Sequence, residues 1–154
     1  MRMNYDELLH KGLIKRFRSS PAQVRNRMAL ARPDISAART MMKSDRDWAF
    51  TMVYNAILQA TRALMFAEGF RPEAGEGQHK VAVRFAEITL GETFRDEIYI
   101  FDKMRSKRHR VVYDVSGLIS KGEAEQAFDF ASRFVDKVEA VINKRLAEGI
   151  DGKP

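Results

Sequence analysis

The sequence predicts an all-α protein, an up-and-down bundle of four to five main helices. Three observations lead there. Apolar residues recur every three or four positions through most of the chain, the period of a helix with one buried face. Start and stop signals for helices bracket these stretches. Val111-Val112-Tyr113 alone reads as strand, and it is too short to seed a sheet. A length of 154 residues fits one domain able to bury roughly two-thirds of its unfolded surface.

Taken in order, residues 5–17 form an amphipathic helix with Leu8, Leu9, Leu13, Ile14 and Phe17 as its apolar side. Ser20 caps a second helix and Pro21 suits its first position. That helix runs to about Ala31 and breaks near Pro33, where the chain turns into a third over residues 34–43. Ser44, with Asp47 three residues on, predicts the cap of the strongest helix. Ala49, Met52, Val53, Ala56, Ile57, Ala60, Ala63, Leu64 and Ala67 make its main face, and Phe50, Leu58, Met65 and Phe66 a second row. A helix apolar on two sides sits at the centre of a bundle or meets a second subunit, and the central position is the expectation here. Gly69 ends it, and residues 70–77, with Pro72, Gly75 and Gly77, read as loop.

Residues 78–90 resume helix and Gly91 turns the chain. Phe94, Ile98, Phe101 and Met104 give the next helical face, and Ser116-Gly117 interrupts. Ser120 and Glu123 form a capping box for the last helix, with Ala127, Ala131, Phe134, Val135, Val138, Val141 and Ile142 inward. Three parts follow: a basic helical segment over 1–27, the bundle over 28–148 and a flexible tail over 149–154.

Net charge is +6, unevenly placed. Residues 1–43 hold ten Lys/Arg against three Asp/Glu, and the remainder holds seventeen against eighteen. Such a segment favours an anionic partner. The absence of cysteine excludes disulfides. Charges interrupt every apolar stretch before the ~18 residues that a membrane span needs. Asp6, Glu7, Lys11 and Lys15 break up any signal-peptide core. A cytoplasmic protein away from membranes is expected.

No HExxH, Walker A, GxGxxG or GxSxG pattern occurs, and His10, His79 and His109 are too scattered to suggest a metal motif. Neither metal nor cofactor is expected. Residues 103–110 pack five permanent cations and one histidine into eight positions, a cluster that repels itself, so that either the fold offsets the cost or a bound polyanion relieves it. If this stretch is helical, Arg105 and His109 lie one turn apart and Tyr113 one turn further. An arginine could then hold a phosphate while the imidazole moves a proton. Trp48, Tyr54 and the aromatic residues of the last helix read as core. Asn55, in an apolar helix, needs a hydrogen-bond partner.

The order Asp47-Trp-Ala-Phe, Tyr54-Asn-Ala-Ile-Leu-Gln-Ala, Glu68-Gly-Phe-Arg-Pro, His79, then Met104-Arg-Ser-Lys-Arg-His-Arg-Val-Val-Tyr-Asp114 and a capped final helix resembles the HEPN family over residues 28–145. The resemblance implies a helical bundle that commonly dimerises. It further implies RNA or nucleotide binding, with Arg105, Lys107, Arg108 and Arg110 as the binding residues. Some members pair with a nucleotidyltransferase in toxin–antitoxin or stress and defence systems. Others are metal-independent ribonucleases, in which an Arg and a His separated by four to six intervening residues meet across a dimer cleft. On that alternative Arg108, His109 and Tyr113 are the catalytic candidates. The chain departs from the pattern at one place, since Tyr113 stands where the second motif residue should be histidine. A phenol with a reference pKa of ~10 replaces a base that titrates near neutrality.

Overall fold

The computed structural model describes residues 4–75, 77–114 and 116–149. Seven α-helices lie among them: α1 (Tyr5–His10), α2 (Pro21–Met28), α3 (Ala31–Met41), α4 (Arg46–Ala67), α5 (Gln78–Leu90), α6 (Arg95–Tyr113) and α7 (Lys121–Ala147). Five of them have eleven or more residues, so the all-α bundle expected from the sequence is the fold observed. The expected tail beyond Gly149 lies outside the described residues.

α4 is the axis. Ala56, Ala60, Ala63 and Ala67 are fully buried on it, and α2, α3, α5, α6 and α7 all pack around it. Alanine at these positions lets neighbouring backbones approach closely, so a larger side chain would cost about 1–3 kcal/mol in overpacking. Asn55 finds its partner in Asp34 of α3, donating from Nδ2 at 2.8 Å. On α7, Phe130, Phe134, Val135, Val138 and Ile142 face inward. Its Ser120–Glu123 capping box forms as the spacing predicts; Ser20 caps α2 with Pro21 in its first turn as expected, and the structure adds a reciprocal bond to the Gln23 side chain that completes a second box.

The N-terminal segment departs most from expectation. α1 stops at His10, and Gly12, with φ of 71°, turns the chain in a conformation that suits glycine. Ile14–Arg16 then forms β1, antiparallel to β2 (Phe70–Pro72), with Ile14 opposite Pro72 and Arg16 opposite Phe70. The helix expected to Phe17 and the loop expected from residue 70 thus each contain a strand. Ile14 and Phe70 drop into the same core as Leu8 and Val24. The Phe70 ring sits 4.7 Å from Tyr5 and 5.8 Å from Phe85. An isolated two-stranded ribbon is marginal in water, so this packing is what holds it.

Four smaller features also depart from expectation. The break after α2 falls at Ala29–Leu30, and Pro33 sits in the first turn of α3, where its missing N–H is no loss. Asp45, not Ser44, caps α4, accepting from the Trp48 amide at 3.0 Å. Asp47 instead accepts from the amides of Gly117 at 2.6 Å and Ile119 at 3.3 Å, tying the α6–α7 connection to the start of α4. Trp48, read as core, is 52% exposed. Val111, Val112 and Tyr113 continue α6 as helix.

Candidate functional site

α5 and α6 enclose a groove of about 780 Å³ lined by His79, Lys80, Arg105, Arg108, His109 and Arg110, with Tyr113 at one edge. Local sequence explains the placement. α5 begins one residue after Gly77, whose φ of 81° supplies the left-handed turn that starts the helix, so His79 stands in its first turn. On α6, Arg105, His109 and Tyr113 recur every four residues and share a face. The rings of His109 and Tyr113 lie 4.8 Å apart.

The inner wall is a stack of three groups. Tyr54, buried on α4, has its ring parallel to His79, with 5.6 Å between centroids and 14° between planes. Its hydroxyl lies 3.0 Å from His79 Nδ1. Arg108 reaches over the same Tyr54 ring, its guanidinium carbon 6.0 Å from the centroid. Arg108 Nε is buried and has no hydrogen-bond partner among the described residues.

Electrostatics fix the protonation of this stack. Burial pushes the Tyr54 phenol above its usual range, against the opposing pull of Arg108, Arg105 and Arg62. Burial also pushes His79 below its usual value, reinforced by Arg108, Arg62, Arg105 and His109. At neutral pH both groups are therefore uncharged. In the tautomer where the phenol donates to Nδ1, the ring proton sits on Nε2. His79 then offers a hydrogen-bond donor without bringing a further charge.

The cations of α6 sort into two sets. Arg105 is held by Asp102 through Nε at 2.8 Å. Lys107 turns away toward α7 and pairs with Glu123 at 2.6 Å. That contact, with the Ser120 cap, holds the Glu123 carboxyl below its usual range. Arg108 and Arg110 have no carboxylate within ion-pair distance among the described residues. The structure thus brings Arg105, Arg108, His109, Arg110 and Tyr113 to one groove, while Lys107 lies outside it. Tyr113 is 67% exposed, so its phenol reaches the groove only from the rim.

Sequence reasoning missed His79 and Tyr54 as partners. The signal was a tyrosine in an otherwise apolar helix, since a buried phenol needs a hydrogen-bond partner. The spacing of 25 residues between the two gave no hint of contact. Among the described residues, no three His, Cys, Asp or Glu side chains come together as a metal site, and no helix is long and apolar enough to cross a membrane.

A second groove, of about 700 Å³, lies on the opposite side of α6, toward α7. Tyr99, Ile100, Met104, Ala127 and Phe130 line it, and Tyr99 is 63% exposed and Ile100 39%.

Compared with known proteins, residues 24–141 match a family model described as the HEPN domain. No curated protein matches the chain.

Proposed function

The chain belongs to the HEPN domain family, and from that premise we propose that it binds RNA or a nucleotide through the groove between α5 and α6. One observation carries the reading: the half-buried Arg108 guanidinium, with no carboxylate partner among the described residues, lines the same groove as the neutral His79 imidazole. A phosphate oxygen satisfies both, accepting from the guanidinium and from the imidazole Nε2–H. Lys80, Arg105 and Arg110 supply longer-range attraction around it. Titrating fluorescently labelled RNA tests this. Affinity should fall steeply with salt, because each phosphate neutralised releases counterions. Negligible affinity at low salt rejects the reading.

In this proposal the protein is a cytoplasmic homodimer that works beside a nucleotidyltransferase in a toxin–antitoxin or stress and defence system. Family membership supports the pairing, and the exposed Tyr99 and Ile100 over the α6–α7 groove support self-association there. Copurification with a nucleotidyltransferase encoded nearby checks the first, and the solution mass checks the second.

The second reading is a metal-independent ribonuclease using Arg108, His109 and Tyr113. Its support is that all three line one groove, where His79 adds a second imidazole. Incubation with RNA in EDTA separates the two. Cleavage that disappears in Arg108→Ala and His109→Ala marks an enzyme, and intact RNA marks a binding module.

A further inference from the structure

Beyond its first two turns, the central helix is covered by its neighbours except along one seam. From Asn55 to Phe66 of α4, only Asn55, Gln59, Arg62 and Phe66 are half-buried, and every residue between them is buried. Their spacing of four, three and four puts them one above another on the same side of the helix.

The Asp34 carboxylate holds Asn55 at the start of that seam, and cations and aromatic rings line it from Gln59 to Phe66. Arg62 donates to Gln78, the neighbour of His79, at 2.8 Å. Arg27 of α2 donates to Gln59 at 3.3 Å and lays its guanidinium 5.3 Å over the Phe66 ring. The Phe66 ring lies 4.9 Å from Phe17, and Arg71 of β2 covers Phe17 at 5.5 Å. Arg27 is near enough to Arg62 to disfavour its charge, adding to the effect of burial. None of Arg27, Arg62, Arg71 and Arg108 has a carboxylate within ion-pair distance among the described residues. Elsewhere, Arg32 is held by Asp136 and Glu139, Lys137 by Glu97 and Arg145 by Glu68.

We infer that this seam is a track for single-stranded RNA, leading from the α5–α6 groove along α4 to the β-ribbon. The inference rests on the proposed reading of that groove. A strand with one phosphate at Arg108 places later phosphates against Arg62 and Arg27. A base then stacks on the guanidinium planes that cover Phe66 and Phe17, as unpaired bases do on arginine and aromatic surfaces. The twelve steps from Tyr54 to Phe66 rise ~18 Å. At ~3.4 Å per stacked nucleotide, the track holds about five nucleotides beyond the groove. The seam is one side chain wide, which suits a single backbone and not a duplex.

Labelled oligouridylates of three and ten nucleotides test the track by fluorescence anisotropy against wild type and an Arg27→Gln/Arg71→Gln double variant. The expected result is that wild type binds the decamer at least tenfold more tightly than the trimer. The double variant should lose that advantage while keeping trimer affinity, and its log–log salt slope on the decamer should fall by about 1.4, two phosphates' worth for a single strand. Equal affinity of wild type for both lengths overturns the track, as does an unchanged decamer affinity in the double variant. Displacement of the decamer by polyglutamate at equal charge would assign the seam to an acidic protein, overturning it too. Wild type that binds neither oligomer removes the groove reading itself. Arg71→Gln alone, on the exposed ribbon, should lower decamer affinity several-fold and keeps the test decisive if the double variant unfolds.

Discussion

α6 forms a wall of two grooves, and the walls differ in what their charges are doing. Toward α5, Arg108 and His79 meet with no carboxylate to neutralise them. Toward α7, Lys107 is spent on Glu123, Lys103 lies over the Tyr99 ring at 5.6 Å, and apolar side chains share the surface with Arg133 and with Arg110, which borders both grooves. A run of cations in sequence is therefore not a patch in space. A helix distributes neighbouring residues about 100° apart, so adjacent cations face different partners. One face presents cations without carboxylate partners around His79, and the other sets its cations among exposed apolar side chains.

The largest expected effect breaks the comparison from its apolar side. Ile100→Glu should convert the proposed dimer to monomer, shifting the dissociation constant by orders of magnitude, because it buries a charge in an apolar contact. Sedimentation reads the change, and an unaltered dimer would move the interface elsewhere. Next, Arg108→Ala should weaken RNA binding tenfold or more, whereas Lys107→Ala should weaken it less than threefold. Equal losses in anisotropy titrations would erase the distinction between the walls.

A pH series probes the basic groove without ligand. Burial and cations lower the His79 pKa in the folded protein, so the unfolded chain binds the proton more readily. Stability should hold above the unfolded value of ~6.5 and fall as pH drops through it toward the folded value. His79→Gln should remove that component of the thermal midpoint between pH 7.5 and 5.5. A slope identical to wild type would show that His79 does not sense its cations. Smallest is the apolar wall's own anchor. Ser120→Ala should lower stability by ~1 kcal/mol through loss of the α7 cap, a drop of roughly 2–4 °C in Tm, with RNA affinity unchanged.

Most of the fold could be read from the chain. The long helices follow from apolar spacing that no competing signal disturbed, and α5 begins and ends at the residues expected. The capping boxes at Ser20 and Ser120 depend on side chains within four positions, so local sequence suffices for them. The ribbon could not be read in that way. Leu13, Ile14 and Phe17 fit a helix as well as a strand over so few residues, and only the fixed position of Phe70 decides between them.

The candidate site divides along the same line. The basic run of α6, the shared face of Arg105, His109 and Tyr113, and the departure at Tyr113 are matters of short-range order that the sequence determined by itself. Tertiary structure alone decided that Lys107 is neutralised, that Arg108 is not, and that His79 stands against Tyr54. Those outcomes depend on which side chains arrive from elements 16 to 54 residues away. Such arrivals are set by how whole helices pack around α4, which local periodicity does not encode.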